Sequence, residues 1–235
     1  IAKIYMRIWA IVPAAGIGHR YGSAIPKQYL SLCGTPVLLH SIRRLLEIKE
    51  VEQILVPLGS DDTLWKNLEF SHPKVKTIAG GCDRSQSVLN ALEGLSNLAK
   101  EEDWVLVHDA VRPCVTEFDI KKIIREVRND DVGGLLAYQV VDTIKELDDS
   151  DGVIKTMDRE KLWFALTPQM FRYELIKKAL KAAVLSDQPV TDEASAIEFL
   201  GLSPKIIPGE KSNIKITSAE DMLLAELIIM SWSRK

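Results

Sequence analysis

The chain has 235 residues, of which 46% are hydrophobic and 27% are charged, and this is ample for one sizeable core. Its 30 Lys and Arg are balanced by 33 Asp and Glu, a formal net charge of -3, and no basic run stands out. These features exclude general nucleic-acid binding. Its apolar stretches are shorter than about 10 residues, and a bilayer span needs roughly 20, so no membrane partner is expected. We expect a single domain over residues 1–235.

The cysteines indicate a cytoplasmic protein. Cys33, Cys82 and Cys114 form no Cys-x-x-Cys pair and cannot all pair within one chain, which is typical of reduced thiols. Residues 1–7 lack the apolar segment of a secretory signal.

Short apolar runs alternate with amphipathic segments along most of the chain. This alternation predicts an α/β fold with a Rossmann-like, doubly wound, mainly parallel sheet, whose ligands bind beyond the carboxyl ends of the strands. The predicted strands are 8–12, 53–58, 75–78, 104–108 and 134–138, and the predicted helices between them are 37–48, 85–98 and 119–128.

The pattern changes at about residues 139–161. Residues 140–147 and 153–157 alternate with a period of two on either side of the turn-forming sequence Asp-Asp-Ser-Asp-Gly. We therefore predict a projecting β-hairpin arm. It has apolar residues on one side and no core of its own, which makes it a candidate dimer contact. The alternative is a hairpin that folds back on its own subunit.

The last part of the chain is predicted to be mainly helical. Thr191 is a suitable N-cap, and Ser218 and Asp221 have the spacing of a capping box. The predicted elements are a helix at 174–184, a helix that begins at Thr191, a strand at 213–217 and a helix at 218–232.

The loop after the first predicted strand combines glycines with cations. Residues 13–20 are Pro-Ala-Ala-Gly-Ile-Gly-His-Arg, and Pro-Lys-Gln-Tyr follows. Gly16 and Gly18 leave room for phosphate oxygens to approach backbone amides, and Arg20 and Lys27 supply positive charge. The Walker spacing is missing and G-x-G-x-x-G is incomplete. An ordinary strand-to-helix turn is therefore the alternative to a triphosphate site.

The loop at 80–88 joins a predicted strand to a predicted helix. Its two glycines permit unusual backbone angles, and Ser85 or Ser87 is suited to a ribose or base. The residues alone favour a glycine turn capped by Asp83 or Ser85, with Arg84 as a surface cation.

Asp109 follows the apolar strand at 104–108 directly. A carboxylate at the end of such a strand suits a Mg²⁺ ion that bridges triphosphate oxygens, and Arg112 suits a phosphate because its planar group gives bidentate contacts. The alternative is an Asp–Arg pair that closes a turn. His108 is expected to be packed or hydrogen-bonded, because no second His or Cys lies at ligand spacing.

Two further cations have open interpretations. Arg159 stands beside Glu160, which is typical of a solvated charged surface. Lys215 shares one face of its predicted strand with Asn213, either as a ligand contact or as a lysine that extends its amine to solvent.

Together these motifs resemble a known family. Residues 13–29 resemble the signature of sugar-phosphate nucleotidyltransferases. The order and identity of the other motifs over residues 8–227 are similar to the 2-C-methyl-D-erythritol 4-phosphate cytidylyltransferase family. These motifs are Asp-Ala-x-Arg-Pro at 109–113, Asp-Thr-x-Lys at 142–145, Thr-Pro-Gln-x-Phe at 167–171, Thr-Asp-Glu-Ala-Ser at 191–195 and Asn-Ile-Lys-Ile-Thr at 213–217.

The resemblance implies a reaction of the non-mevalonate isoprenoid pathway. CTP and 2-C-methyl-D-erythritol 4-phosphate would give 4-diphosphocytidyl-2-C-methyl-D-erythritol and pyrophosphate, with Mg²⁺ as the cofactor. The substrate phosphate would attack the α-phosphorus in line, so that catalysis consists of positioning and electrostatic stabilisation.

The resemblance also implies roles for individual residues, and Asp109 would position both Mg²⁺ and the ribose. The catalytic cations would be Arg20, Lys27, Arg159 and Lys215. The residues around CTP would be Ala14, Ala15, Gly16, Gly18, Gly81, Ser87 and Asp109. The residues that hold the methylerythritol phosphate would be Arg112, Thr143, Arg159, Thr167 and Lys215.

Members of the family act as homodimers, and the residues matching Arg159 and Thr167 reach the site across the interface. The resemblance thus turns Arg159 into an expected substrate contact from the partner subunit. Cys82 departs from the family, which often has Asp there, and this puts a nucleotide contact through that side chain in doubt.

Two other functions compete with this one. A ribitol 5-phosphate cytidylyltransferase would share the nucleotide half of the site, but Thr143, Arg159 and residues 191–195 favour methylerythritol phosphate. A regulator that binds cytosine nucleotides without turnover is disfavoured by the presence of the catalytic cations.

Overall fold

A computed structural model describes residues 6–16 and 25–232. Among them, short 3-10 turns lie at Lys27–Tyr29 and Trp65–Asn67. The helices are α1 Val37–Leu46, α2 Arg84–Gly94, α3 Glu117–Val127, α4 Tyr173–Leu185, α5 Glu193–Phe199 and α6 Ala219–Trp232. The strands are β1 Ile8–Ile11, β2 Ser31–Leu32, β3 Thr35–Pro36, β4 Val51–Leu58, β5 Val75–Ala79, β6 Trp104–Val107, β7 Gly133–Gln139, β8 Lys145–Leu147, β9 Val153–Thr156, β10 Trp163–Arg172 and β11 Lys205–Pro208.

Seven strands form the central sheet in the order β11-β7-β10-β6-β1-β4-β5. All neighbouring pairs are parallel except those of β10, which runs antiparallel to both β6 and β7. The predicted α/β class with a mainly parallel sheet is confirmed. Strand β1 has β4 on one side and β6 on the other. Strands β4 and β5 are therefore added on one side of β1 and the later strands on the other, which makes the edge between β1 and its neighbours a topological switch point. Such a switch point opens a crevice for ligands at the carboxyl ends of the strands.

Helices cover both faces of the sheet, because successive residues of a strand point to opposite sides. In β1, Ile8 and Ala10 belong to the core shared with α1 and α3, and Trp9 and Ile11 belong to the core shared with α2, α4 and α5. The sheet is therefore doubly wound, as the alternation of apolar runs predicted.

Strand β10 was not predicted, although it lies in the middle of the sheet. Its sequence contains Pro168, and proline argues against a central strand because it cannot donate to the ladder of hydrogen bonds. The pairing of β10 with β7 shifts register between Ala165 and Gln169, so these residues sit in an irregular step of the ladder.

Two local predictions near the end of the chain were wrong. Residues 213–217 pair with no strand of the sheet, and the backbone N–H of Ile216 donates instead to the carbonyl of Val111 at 2.9 Å. Helix α5 is capped by Asp192 and not by Thr191, because the Asp192 carboxylate accepts the N–H of Ser195 in a capping box. The predicted box of Ser218 and Asp221 is confirmed.

The predicted hairpin is present as a two-stranded sheet of β8 and β9, separate from the central sheet. Its turn is held by Asp148, whose carboxylate accepts the N–H groups of Ser150 and Gly152. Several apolar side chains on and around the hairpin are exposed, namely Val141, Leu147, Val153, Ile154, Trp163 and Phe164. A dimer contact through this arm stays a prediction. Within the part of the chain that the structure describes, no helix has both the length and the apolar character of a membrane span.

Candidate active site

A cleft of about 260 Å³ lies at the switch point of the sheet. Its walls include residues 13–16 after β1, residues 81–84 between β5 and α2, and residues 109–111 after β6, and Lys27 and Lys215 complete them. The three loops come from parallel strands, whose carboxyl ends meet at one edge of the sheet.

The first loop is held in place by Gln28. This buried side chain donates to the carbonyls of Ala14 at 2.9 Å and Gly16 at 2.8 Å, which explains its place in the Pro-Lys-Gln-Tyr motif. A Cβ added at Gly16 would meet no described atom within 4 Å. Packing among the described residues therefore does not require this glycine, as expected if its space is left for a ligand. Gly18 and Arg20 lie outside the described residues.

The second loop packs directly against the first. A Cβ at Gly80 would lie 2.5 Å from the Cβ of Ala15 and 2.9 Å from the carbonyl oxygen of Leu58, so only glycine fits here. The Ser87 hydroxyl accepts the N–H of Gly81 at 2.9 Å and donates to a backbone carbonyl, that of Asp83, at 2.7 Å. This loop is thus fixed from within.

The carboxylate of Asp83 caps α2 by accepting the N–H of Gln86 at 2.8 Å. The sequence predicted a cap by Asp83 or Ser85, and the structure has Asp83. Cys82 and Arg84 also line the cleft. The interpretation of Arg84 as a surface cation was therefore wrong.

Asp109 is the centre of a charged cluster. Its Oδ1 accepts from Nε of Arg84 at 3.1 Å, and its Oδ2 accepts from Nζ of Lys215 at 2.9 Å, with Nε of Arg112 at 3.5 Å. Arg84 also donates two hydrogen bonds to Glu193, at 2.6 and 3.0 Å. Glu193 is completely buried. Three cations thus surround two carboxylates, which leaves one net positive charge beside the cleft.

The cluster keeps Asp109 ionised. Burial alone would raise the pKa of its carboxyl, but the nearby positive charges of Arg84, Lys215 and Arg112 hold this pKa well below its usual range. The two carboxylates in turn raise the pKa of Arg84 in spite of its burial. The site is therefore a fixed ionic framework with excess positive charge, which attracts anions.

Glu193 reaches this cluster through the start of α5. The Gln169 side chain accepts the N–H of Ala194 at 2.8 Å and donates to the carboxylate of Asp192 at 2.8 Å. The Thr-Pro-Gln and Thr-Asp-Glu-Ala-Ser motifs thus meet in space, and together they place Glu193 against Arg84. Sequence reasoning missed this ion pair, and the only signal for it was an opposite charge in each of two motifs.

A second polar network lies behind Asp109. The Thr167 hydroxyl accepts the N–H of Asp109 at 3.0 Å and contacts Nδ1 of His108 at 3.0 Å, and Nε2 of His108 contacts the carbonyl of Arg112 at 3.0 Å. Arg112 donates to the carbonyl of Asn213 at 2.8 Å, and Nδ2 of Asn213 donates to that of Thr167 at 2.6 Å. Thr167 is therefore buried in its own subunit, which corrects the expectation that it acts across an interface. The expectation of a hydrogen-bonded His108 is confirmed.

The structure does not bring every expected residue to the cleft. Thr143 and Arg159 are exposed on the arm, and neither is among the residues that line the cleft of their own subunit. Arg159 donates from Nη1 to the carbonyl of Val141 at 2.6 Å. The cleft does bring together Ala14, Ala15, Gly16, Lys27, Gly81, Ser87, Asp109 and Lys215.

The fold and the cleft define the class of this protein. The sheet order, the glycine-containing first loop and the cationic cleft at the switch point make it an α/β protein of the nucleotidyltransferase type. A family model described as 2-C-methyl-D-erythritol 4-phosphate cytidylyltransferase matches residues 8–231. The chain belongs to this family, and it is a nucleotidyltransferase.

Curated relatives and solved structures agree with this assignment. The 2-C-methyl-D-erythritol 4-phosphate cytidylyltransferase of Hahella chejuensis is 45% identical over 224 residues, which are 95% of this chain and 93% of that protein. The one from Pseudomonas fluorescens (strain Pf0-1) is 43% identical over 229 residues, 97% of this chain and 96% of that protein. A crystal structure of the enzyme from Francisella tularensis is 34% identical with a TM-score of 0.83, and the match covers 94% of this chain and 99% of that one.

Proposed function

We propose that this protein transfers the cytidylyl group of CTP to 2-C-methyl-D-erythritol 4-phosphate and releases pyrophosphate. One observation carries the proposal: motifs that are far apart in the sequence converge on a single cationic cleft around Asp109. Such a cleft suits two phosphate-bearing substrates, because its fixed positive charges stabilise anions at close distance.

Charge and position suffice for the chemistry. A phosphate monoester is already nucleophilic, so no side chain has to remove a proton from it. The phosphorus centre gains negative charge in the transition state, and cations held in place stabilise it without reorganisation. Lys27 and Lys215, which line the cleft, are the described cations for this role, and Arg20 joins them by the family pattern.

The nucleotide lies against the first two loops in this proposal. Gly16 leaves space for the triphosphate, and the backbone near Ala14, Ala15 and Gly81 surrounds cytosine and ribose. The Ser87 hydroxyl has its single hydrogen engaged by the carbonyl of Asp83, so it contributes mainly by shaping the loop.

Mg²⁺ fits this site only together with the nucleotide. Among the described residues, no three His, Cys, Asp or Glu side chains form a metal-binding group, and three cations surround Asp109. A triphosphate brings several negative charges, and Mg²⁺ is commonly held by one or two carboxylates plus substrate phosphates. Asp109 would hold the ion, whose chemistry is to neutralise charge on the phosphate oxygens.

Calorimetry tests this dependence on the nucleotide. We expect no binding heat when Mg²⁺ alone is titrated into the protein and saturable binding when CTP is present, with loss of that binding in Asp109→Asn. Tight binding of Mg²⁺ without nucleotide would contradict the proposed role of Asp109.

The second substrate lies between the cleft and the arm of a partner subunit. Arg112 lies beside Asp109 in the same chain, whereas Thr143 and Arg159 are exposed on the arm. Exposed apolar residues on the hairpin support a homodimer, because burying them against a partner removes apolar surface from water. In this arrangement the arm selects the alcohol.

An assay of pyrophosphate release tests the function. CTP is supplied with 2-C-methyl-D-erythritol 4-phosphate, with ribitol 5-phosphate or with no alcohol, and the nucleotide product is identified by mass spectrometry. We expect turnover with methylerythritol phosphate alone. Turnover restricted to ribitol 5-phosphate would overturn the choice of alcohol, and CTP binding without turnover would favour a regulator.

A further inference from the structure

His108 is a completely buried histidine next to the central carboxylate of the site. Both of its ring nitrogens have a polar partner: Nδ1 lies 3.0 Å from the hydroxyl oxygen of Thr167, and Nε2 lies 3.0 Å from the carbonyl oxygen of Arg112. The mechanism above makes no use of this side chain.

The donors and acceptors around His108 fix where its proton is. A carbonyl oxygen can only accept, so Nε2 carries a hydrogen and donates it to Arg112. The backbone N–H of Asp109 can only donate, and the Thr167 hydroxyl oxygen accepts this hydrogen bond at 3.0 Å, which leaves the hydroxyl hydrogen for another partner. In a neutral ring Nδ1 is then bare, and it accepts the single hydrogen of the Thr167 hydroxyl. His108 is completely buried and both of its ring nitrogens contact uncharged groups, a setting that favours the neutral ring.

We propose that His108 is a positioning residue that acts through two neighbours. It orients the Thr167 hydroxyl so that this oxygen holds the backbone N–H of Asp109, and its own Nε2–H holds the carbonyl of Arg112. Thr167 therefore acts on the protein and does not donate a hydrogen bond to substrate. The inference deepens the proposed function and rests on it, because the residues positioned are those assigned to the nucleotide and the second phosphate.

Small displacements matter at this point of the molecule. The Asp109 carboxylate has close contacts with Arg84, Lys215 and Arg112, so a tilt of its backbone disturbs all three. The Arg112 carbonyl is held by His108 while its guanidinium is near Asp109, so the turn from 109 to 112 is fixed at both ends. Losing such supporting partners around metal ligands costs roughly 10- to 100-fold in activity or affinity, and we expect a comparable loss here.

The first test is independent of activity. Long-range ¹H–¹⁵N NMR of the unliganded protein distinguishes a protonated ring nitrogen from a bare one, and the signal is assigned by its loss in His108→Gln, since the chain has only four histidines. We expect a protonated Nε2 and a bare Nδ1 at pH 7. A protonated Nδ1 would overturn the proposal whether or not the protein turns over CTP.

The second test is a double-mutant cycle on kcat/KM with His108→Gln and Thr167→Val. Gln places an amide N–H near the position of Nε2 but has no acceptor at the position of Nδ1, and Val removes the Thr167 hydroxyl at nearly constant shape. We expect each variant to lose roughly 10- to 100-fold and the double variant to lose no more than the worse single one. Additive losses would mean that Thr167 acts on substrate by itself.

Two further variants serve as controls. Thr167→Ser retains the hydroxyl, and we expect it to keep more activity than Thr167→Val. His108→Asn retains an acceptor near the position of Nδ1 but loses the donor to Arg112, so we expect Thr167→Val to reduce activity further in the His108→Asn background and not in the His108→Gln background. All variants are compared by melting temperature to separate unfolding from loss of function, and equal losses in Thr167→Ser and Thr167→Val would overturn the positioning role.

Discussion

At the scale of single residues, the polar groups of the site fall into two sets. Gln28, Ser87 and Gln169 use their hydrogen bonds on the protein itself: Gln28 and Ser87 fix two loops of the cleft, and Gln169 fixes the start of α5. Lys27 and Lys215 line the cleft, and Gly16 leaves space in it. Substitutions in the first set should affect structure and activity together, whereas those in the second set should affect ligand binding or rate.

Lys27 provides the first prediction at this scale. We expect Lys27→Ala to lower kcat by about 10²–10³, the usual cost of losing one donor that stabilises charge in a transition state, with a smaller change in CTP affinity. Steady-state kinetics and equilibrium CTP binding measure the two effects, and Lys178→Ala on an exposed part of α4 is the control. An equal loss in CTP affinity would make Lys27 a contact to bound CTP in its ground state.

His108 gives a prediction about pH and stability. Burial lowers its pKa from 6.5 to about 4, so the unfolded chain binds a proton between these pH values that the folded protein does not. Its contribution to stability is complete above pH 6.5 and is lost as the pH falls towards 4, by up to about 3 kcal/mol. The depressed pKa of Asp109 acts below this window.

Urea unfolding in metal-free buffer at several pH values measures this effect. We expect the free energy of unfolding of His108→Asn to fall less steeply between pH 6.5 and 4 than that of the unaltered protein. Identical slopes would show that His108 does not titrate on unfolding.

At the scale of elements, the cleft depends on how closely three loops meet. Gly80 N–H donates to the carbonyl of Leu58 at 2.7 Å, and Gly80 lies against Ala15, so β4, β5 and the loop after β1 form one unit. The close approach requires a residue without a side chain at Gly80.

Two glycine substitutions separate packing from ligand space. Gly80→Ala places a Cβ 2.9 Å from a carbonyl oxygen, and we expect it to lower stability by about 1–3 kcal/mol and to weaken CTP binding. Gly16→Ala meets no described atom within 4 Å, and we expect it to weaken CTP binding with little change in melting temperature. Thermal unfolding and CTP titration measure both. Equal thermal destabilisation by the two substitutions would contradict this division.

The periodic elements could be predicted from the sequence, because β1 and β6 are continuous apolar runs that are buried on both faces, and β4 contains the buried apolar run 54–56. β10 could not, since its irregular step carries Thr, Pro and Gln, whose roles depend on partners elsewhere in the chain. Residues 213–217 have the alternation of a strand, and Asn213 and Ile216 are both buried. Ile216 packs in a cluster with α6, however, and the Asn213 side chain donates to the carbonyl of Thr167 in β10, so the segment contacts the sheet without joining it as a strand.

In the candidate site too, some features could be predicted from local sequence and others depend on distant partners. The glycine and lysine motifs of the first loop were evident because each carries a chemical signal. The pairing of Arg84 with Glu193 joins residues 109 positions apart, and nothing local distinguishes a buried ion pair from two surface charges. Its discovery needed the tertiary structure.

At the scale of the whole molecule, the proposed function places residues of two subunits at each site. The hairpin of β8 and β9 carries exposed apolar residues, and Arg159 at its base is exposed outside the cleft of its own chain. In the proposed dimer each arm brings Arg159 and Thr143 to the cleft of the other subunit.

Mixed subunits test this sharing of the site. Lys27→Ala and Arg159→Ala subunits are each expected to be almost inactive alone. In a heterodimer, one of the two sites combines an intact Lys27 with an intact Arg159, so activity should return to up to about half that of the unaltered dimer if the residues come from different chains. Purified heterodimers with two different affinity tags provide the measurement, and no recovery would indicate a site within one chain.

A crystal structure of the protein with CTP and Mg²⁺ is the decisive measurement, because it shows where the nucleotide binds and which subunit supplies Arg159. We expect the triphosphate against Gly16 and Lys27, the ribose beside Asp109, Lys215 turned towards the α-phosphate, and Arg159 of a partner subunit facing the same phosphate. A nucleotide bound away from the switch-point cleft, or a cleft that no second subunit approaches, would contradict the account.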